Sequence, residues 1–177
     1  PGTLLAPVPA VMVSCGTMEK PNIITIAWTG IVNSDPAMTY ISVRRERFSH
    51  ALISKSGEFV INLTTSALSR ATDLCGVKSG RDTDKFALAN LTPEPASKLS
   101  CPMIVQSPLS LECKVTQVLP LGSHDMFLAK IIAVNVEESL LDEKGKLHLS
   151  RCGLLSYAHG EYFAQGRRLG GFGYSVR

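Results

Sequence analysis

The sequence lacks any apolar run long enough to cross a membrane as a helix. The longest, Leu4 to Val13, spans ten residues, is broken by Pro7 and Pro9, and has no basic leader. A spanning helix needs about 20 apolar residues and a signal peptide needs a charged start, so neither is expected. Charge of one sign is also scarce. Eighteen Lys and Arg against fifteen Asp and Glu leave a formal charge of +3, with no dense basic face for nucleic acid. The five cysteines, at 15, 75, 101, 113 and 152, are scattered and contain no C-x-x-C pair. That pattern excludes a disulfide framework and a zinc knuckle, and it fits a reducing cytoplasm. The histidines at 50, 124, 148 and 159 lack metal-ligand spacing. No G-x-G-x-x-G follows a strand, which removes a dinucleotide-binding domain. No G-x-S-x-G elbow or Cys/His signature supports a hydrolase. The expectation is a soluble, cytoplasmic protein that meets neither membrane nor nucleic acid and holds no metal.

What is present points to strands. With 177 residues, 45% of them hydrophobic and 19% charged, one domain over 1–177 can bury a substantial core. Val8 to Cys15 reads as a first strand with its prolines confined to the start. A second strand places Ile24, Ile26 and Trp28 on one face and Ile23, Thr25 and Ala27 on the other. Thr29 to Pro36 reads as a polar turn, and Thr39 to Val43 as a β-branched third strand. At Phe48 the period changes. Phe48, Leu52 and Ile53 fit a short helix with Ser49 as its N-cap, and Glu58 to Leu63 follows as a strand. Ser66 to Cys75 carries a helical stripe, and a polar loop from Gly76 to Lys85 enters another short helix. Pro93, Pro95 and Pro102 mark an irregular connector. Leu109 to Thr116 alternates as a half-buried antiparallel strand. Met126 to Val136 is apolar on both faces, so both are expected to be covered, by core on one and by a helix or a partner subunit on the other. Leu154 to Tyr157 gives a last strand, and Gly166 to Gly173 a loose arm. Many strands with few short helices between them imply an antiparallel barrel rather than alternating βαβ units.

The chemistry concentrates between Asn22 and Ser49. Trp28 is the only tryptophan. A lone tryptophan belongs most often in a core, but this one ends a strand beside Thr29 and Gly30, where a cleft position gains weight. Arg44, Arg45 and Arg47 alone would be a solvated strand end, and Ser49 alone a helix cap. Together they gather guanidinium groups, a hydroxyl and free helix-start N–H groups, which is what a phosphate requires. Lys85 sits in a polar loop that is either plain surface or a second, positively charged clamp. His124 is either a turn histidine bonded to backbone or a donor to a ligand edge.

Several stretches carry a family resemblance across essentially the whole chain, in order. They are Ala27-Trp28-Thr29-Gly30, Asn33-Ser34-Asp35-Pro36, Ser79-Gly80-Arg81-Asp82-Thr83-Asp84-Lys85-Phe86 and Gly122-Ser123-His124-Asp125-Met126-Phe127. In combination they resemble the flavin reductase-like, FMN-binding split-barrel family, and within it the flavoredoxin-type branch. The resemblance implies a mainly β fold with short helices, an antiparallel six-stranded Greek-key split barrel that homodimerises with FMN near the interface. Asn22 and Trp28 would line the flavin and phosphate side. Thr29, Asn33 and Ser34 would offer hydrogen bonds to the ring, and Arg44 and Ser49 would hold the phosphate. Lys85 and His124 would contact the ring or ribityl chain, one of them as the positive group, and Tyr157 would pack against the flavin. Related sequences often have proline where this chain has Arg45, which leaves the basic contact open among Arg44, Arg45 and Arg47. The activity implied is an FMN-dependent oxidoreductase passing electrons from NAD(P)H or a redox protein to flavin, a ferric complex or a protein. The alternative is an FMN-binding electron-transfer module without turnover of its own.

Overall fold

Apolar side chains at every second position line the inside of one antiparallel sheet of seven strands, around which the rest of the chain is arranged. The computed structural model describes residues 1–176. In chain order the elements are β1 (Val8–Pro9), β2 (Val11–Gly16), β3 (Pro21–Ile26), β4 (Thr29–Ser34) and β5 (Ala37–Arg44). Next come α1 (Phe48–Ser56), β6 (Glu58–Leu63), α2 (Ser69–Val77), α3 (Lys85–Leu88), β7 (Pro93–Pro95) and β8 (Pro102–Ile104). The last are β9 (Leu109–Pro120), β10 (His124–Val136), β11 (Leu155–Ala158) and β12 (Glu161–Ala164). The main sheet runs β3-β2-β6-β9-β10-β5-β4, and a small second sheet runs β1-β11-β12.

Val11, Val13, Ile24, Ile26, Ile41, Val43, Phe59, Ile61 and Phe127 meet inside the barrel, where Ile53 of α1 joins them. The strands alternate because the opposite face meets water or the covering segments. The expected six-stranded barrel has a seventh strand in its sheet. Thr29 to Ser34, read as a turn, pairs with β5 from Thr29↔Ile41 to Ser34↔Ala37. The turn itself is only Asp35 and Pro36, and Asn33 Nδ2 braces it by donating to the Pro36 carbonyl at 2.9 Å. The β-branched Ile31 and Val32 sit better in a ladder than in a turn.

Two further expectations change. Arg47, not Ser49, is the N-cap of α1, and it makes no side-chain capping bond. Ser49 is the helix's second residue and is buried. The helix ends at Gly57, whose φ of 68° lets its N–H reach the Ile53 carbonyl. Strand β9 is not half-buried along its whole length either, since Ser110 and Glu112 lie under the proline-marked connector. That connector is a cover held by β7–β8 pairing. Strand β10 is covered only in part. Phe127 and Ala129 are buried, whereas Ile132 and Val134 are 40% and 56% exposed in the single chain. The glycine-rich tail is largely exposed and carries one short 3-10 turn, Tyr174–Val176.

Glu112 fastens the cover. Its Oε1 accepts from the Ser97 N–H, the Ser97 hydroxyl and Asn135 Nδ2, and its Oε2 accepts from the Lys98 N–H at 2.8 Å. Burial opposes the charge, but these donors outweigh it and hold the carboxyl below its ordinary 4.5. Glu112→Gln turns one acceptor into a donor facing another donor. It should cost about 1–3 kcal/mol in urea unfolding at pH 7. A depressed carboxyl stabilises the fold above its unfolded pKa and loses that contribution as pH falls through the folded value. The difference between wild type and variant should therefore shrink on acidification below 4.5. A constant difference across that range would assign the cost to packing instead.

Candidate functional site

Strands β3 and β5 approach each other without forming a ladder, and a chamber of about 440 Å³ opens along that seam. Ile24 to Trp28 form one wall, Ser42 to Arg44 another, and His124, Tyr157, Tyr162 and Asp73 close the mouth. One backbone bond crosses near the top, from the Ser42 N–H to the Trp28 carbonyl at 2.9 Å. Trp28 follows β3 at once and is 38% exposed, so its indole faces the opening. Strand register sets His124 directly across from Arg44. A two-residue loop, His159 and Gly160 with φ of 46° and 94°, turns β11 back into β12. It brings Tyr157 and Tyr162 edge to face with centroids 5.5 Å apart.

A second, smaller pocket of about 190 Å³ lies at the start of α1. Ser49, Arg47, Ser79, Gly80, Arg81 and Lys85 line it, and Arg47 and Ile24 line the seam chamber as well. The first turn of a helix leaves backbone N–H groups without intrahelical partners, and α1 begins here. Asn22 lines neither cavity but orients one of them, since its Nδ2 donates to Ser49 Oγ at 2.8 Å. With that oxygen accepting from Asn22, Ser49 has its own proton to donate onward. Lys85 is buried, and its Nζ donates to the Cys75 and Lys78 carbonyls at 3.2 and 3.3 Å. An ammonium has three protons, so one remains for the pocket. Asp84 caps α3 by accepting from the Ala87 N–H and so fixes where Lys85 begins.

The structure thus brings Trp28, Arg44, His124 and Tyr157 to the seam, and Ser49 and Lys85 to the helix pocket. Thr29 is buried with its hydroxyl given to the Tyr40 carbonyl. Asn33 and Ser34 are exposed at the β4–β5 hairpin tip and line neither cavity of their own chain. The arginine trio separates cleanly. Arg45 is committed to Asp125, with Nε and Nη2 at 2.9 and 2.8 Å from one carboxylate oxygen. Arg44 is mostly solvated, 3.6 Å from Glu46. Arg47 crosses to α2, where its Nη2 donates to the Gly76 carbonyl at 2.7 Å, and so stands at the junction of the two cavities. Asp73 and Tyr162 escaped the sequence reading. Tyr162 carries a weak signal, an alternating Tyr on each side of a Gly-containing loop; Asp73 carries none.

Charge is distributed unevenly between the cavities. Burial pushes the Lys85 ammonium down from 10.5, and Arg47 adds to that. Burial likewise lowers His124, helped by the Arg44 charge, so its imidazole is neutral at pH 7. Its Nδ1 lies 2.9 Å from Ser123 Oγ. Burial, with Asp73 nearby, pushes Tyr162 up to about 12. Cys15, Cys75, Cys101 and Cys113 are all pushed up by burial, so none offers a thiolate at neutral pH. Among the described residues no cluster of His, Cys, Asp and Glu could hold a metal ion, and no helix is long and apolar enough to span a membrane.

A barrel opened along one seam, with an aromatic wall and a cationic pocket at its end, defines a flavin reductase-like split barrel. The sequence model of the flavin reductase like domain matches residues 4–166, and the chain belongs to that family. Among solved structures it resembles flavoredoxin of Desulfovibrio vulgaris (Miyazaki F), at 29% identity and a TM-score of 0.91 over 100% of this chain and 97% of that one. It also resembles flavoredoxin from Methanosarcina acetivorans, at 27% identity and 0.88 over 98% and 94%. The FMN-binding protein from Thermus thermophilus, crystallised with 1-cyclohex-2-enone, aligns at 26% identity and 0.83 over 97% and 94%.

Gly80 sets how closely the 78–85 loop approaches Asn22. A Cβ there would lie 1.9 Å from Asn22 Oδ1 and 3.1 Å from Phe48 Cδ1. Gly80→Ala should cost about 1–3 kcal/mol through overpacking, whereas Gly166→Ala, with nothing within 4 Å, should be neutral. Equal midpoints for the two variants in thermal melts would mean that the loop stands clear of Asn22.

Proposed function

We propose that this chain is an FMN-dependent oxidoreductase that takes electrons from NAD(P)H or a small redox protein. It passes them to free flavin, a ferric complex or a protein acceptor. The observation that carries the reading is Arg47, which lines both the aromatic seam chamber and the cationic helix pocket. A ligand with a flat aromatic end and an anionic end fits across that junction, and the similarity to flavoredoxins and to an FMN-binding protein supports FMN as that ligand.

When bound, FMN supplies the hydride and single-electron chemistry. The residues of the chain hold and orient it. Trp28 and Tyr157 offer ring faces, and His124, neutral at pH 7, offers an N–H to a ring edge. Ser49, Arg47, Arg81 and Lys85 take the phosphate, with Asn22 fixing Ser49. The positive charge near the ring comes from Arg44 and Arg47, because Lys85 lies in the helix pocket and His124 is uncharged. Asn33 and Ser34 act across a homodimer, whereas Thr29 holds β4 to β5 through the Tyr40 carbonyl. The hairpin that carries them leaves Ile31 and Val32 69% and 46% exposed, and a second subunit over this face would bury them and bring the hairpin tip toward its own flavin.

The alternative, a carrier without turnover, draws support from the flavoredoxin similarity. Steady-state oxidation of NADH or NADPH with added FMN or a ferric chelate separates the two. Turnover supports the enzyme, and a yellow protein with none supports the carrier. A colourless protein whose Trp28 fluorescence FMN does not quench would sink both.

Arg47→Ala and Ser49→Ala should each weaken FMN by about 1.5–3 kcal/mol in fluorescence titrations while leaving riboflavin nearly unchanged. Equal losses for both ligands would remove the phosphate from this pocket. A bound anion favours charged Lys85, so FMN affinity should fall as pH rises through that group's lowered pKa, below the usual 10.5. The decline should be absent for riboflavin and absent in Lys85→Met.

A further inference from the structure

A third cavity, of about 340 Å³, adjoins the seam chamber and shares Trp28, Tyr157 and Gly160 with it. Its other wall is the N-terminal arm, Thr3 to Val8. The arm is tied down by one short pairing, Val8↔Tyr157 and Pro9↔Ser156, which fixes the cavity directly against Tyr157. Leu4 and Leu5 line it and remain 68% and 87% exposed, so among the described residues they present largely uncovered apolar surface.

The lining chemistry contrasts sharply with that of the other two cavities. The seam and helix pockets contain Arg44, Arg47, Arg81, Lys78, Lys85, Asp73 and Glu46. Among the described residues no lysine, arginine, aspartate or glutamate lines the arm cavity. A dinucleotide's pyrophosphate would find no cation there, and a charged metal chelate no counter-charge. Two aromatic side chains, two leucines, an imidazole and the hydroxyls of Thr3 and Tyr157 suit a flat, uncharged molecule with polar oxygens at its edge.

Resting on the FMN reading of the seam chamber, we propose that the arm cavity is a site for a further electron acceptor, an uncharged aromatic quinone. Trp28 and Tyr157 stack with its ring, Leu4 and Leu5 cover it, and His159 and Thr3 donate to its carbonyl oxygens. The quinone takes a hydride from the anionic reduced flavin and one proton from solvent. It leaves as the hydroquinone, and the flavin returns to its oxidised form. The N-terminal arm thereby sets the specificity of this one cavity, which offers a charged acceptor no partner for its charge.

The test uses the full chain loaded with FMN and the probe 1,4-naphthoquinone, with its 2-sulfonate as the charged counterpart. Binding to the oxidised protein is read from the perturbed flavin absorbance and from Trp28 fluorescence, and turnover from KM. Naphthoquinone should bind at least tenfold more tightly than the sulfonate. The double variant Leu4→Asp/Leu5→Asp, both positions exposed, should weaken naphthoquinone tenfold or more in Kd and in KM. Its FMN Kd should stay within twofold. Equal binding of the two quinones, or naphthoquinone affinity unmoved by the double variant, overturns the acceptor site while FMN binding stands. Failure of the wild-type chain to bind FMN overturns the functional reading and this site with it.

Discussion

Strands β3 and β5 lie side by side without a ladder, and the rest of the molecule is arranged around that gap. Only two residues, Ala27 and Trp28, separate β3 from β4, so the chain crosses from one edge of the sheet to the other almost at once. A link that short cannot insert a further strand, and the barrel closes with a seam instead of a full set of backbone bonds. Edge N–H and C=O groups are costly to bury unpaired. The seam is therefore open to solvent or to a polar ligand, and the indole of Trp28 is held at its lip.

The seam works only because the surrounding backbone is fixed by buried polar side chains. Asn62 is fully buried on β6. Its Nδ2 donates to the Met12 carbonyl and Ser14 Oγ, and its Oδ1 accepts from the Ile104 N–H and Ser110 Oγ. It thus joins β2, β8 and β9 at one point. Asn22 plays the same part nearer the site, linking β3 to α1 through Ser49. Each of these amides bonds to atoms that are distant in sequence, so the fold specifies a single arrangement where a purely apolar core would tolerate several. The cluster of Arg45, Asp125 and His50, with His50 Nε2 2.8 Å from Asp125, ties the β5–α1 turn to β10 in the same way. It sets the spacing of Arg44 and His124, which flank it in sequence.

Much of the barrel was legible because a period of two survives wherever one face is buried. Ile23 to Ile26 and Leu109 to Val115 read as strands for that reason, Val11 to Cys15 as an apolar run ended by the Gly16 turn, and the breaks at Gly57 and Asp35-Pro36 fell at real turns. Thr29 to Ser34 was misread because Asn33, Ser34 and the following proline carry turn chemistry, while its pairing with β5 is a cross-strand property. Ser49 was misread as a cap because local spacing favours a serine before a helix, and nothing local reveals that Asn22 claims its hydroxyl. The buried outer face of β9 was invisible for a similar reason. Glu112 alternates like a solvent residue, and only the folded connector covers it.

Composition and periodicity by themselves determined an antiparallel β fold, an aromatic at a strand end and a basic stretch before a helix, because these depend on neighbours within a few residues. Which arginine stands between the aromatic and the anionic cavity was decided by tertiary structure alone. Arg44, Arg45 and Arg47 are alike in sequence, and they are told apart only by Glu46, by Asp125 from β10 and by the Gly76 carbonyl of α2. The same holds for Lys85, whose place in the helix pocket follows from two carbonyls that the fold of α2 and its exit loop presents to it. Charge identity is written in the chain, but the place where that charge acts depends on partners that only folding brings within reach.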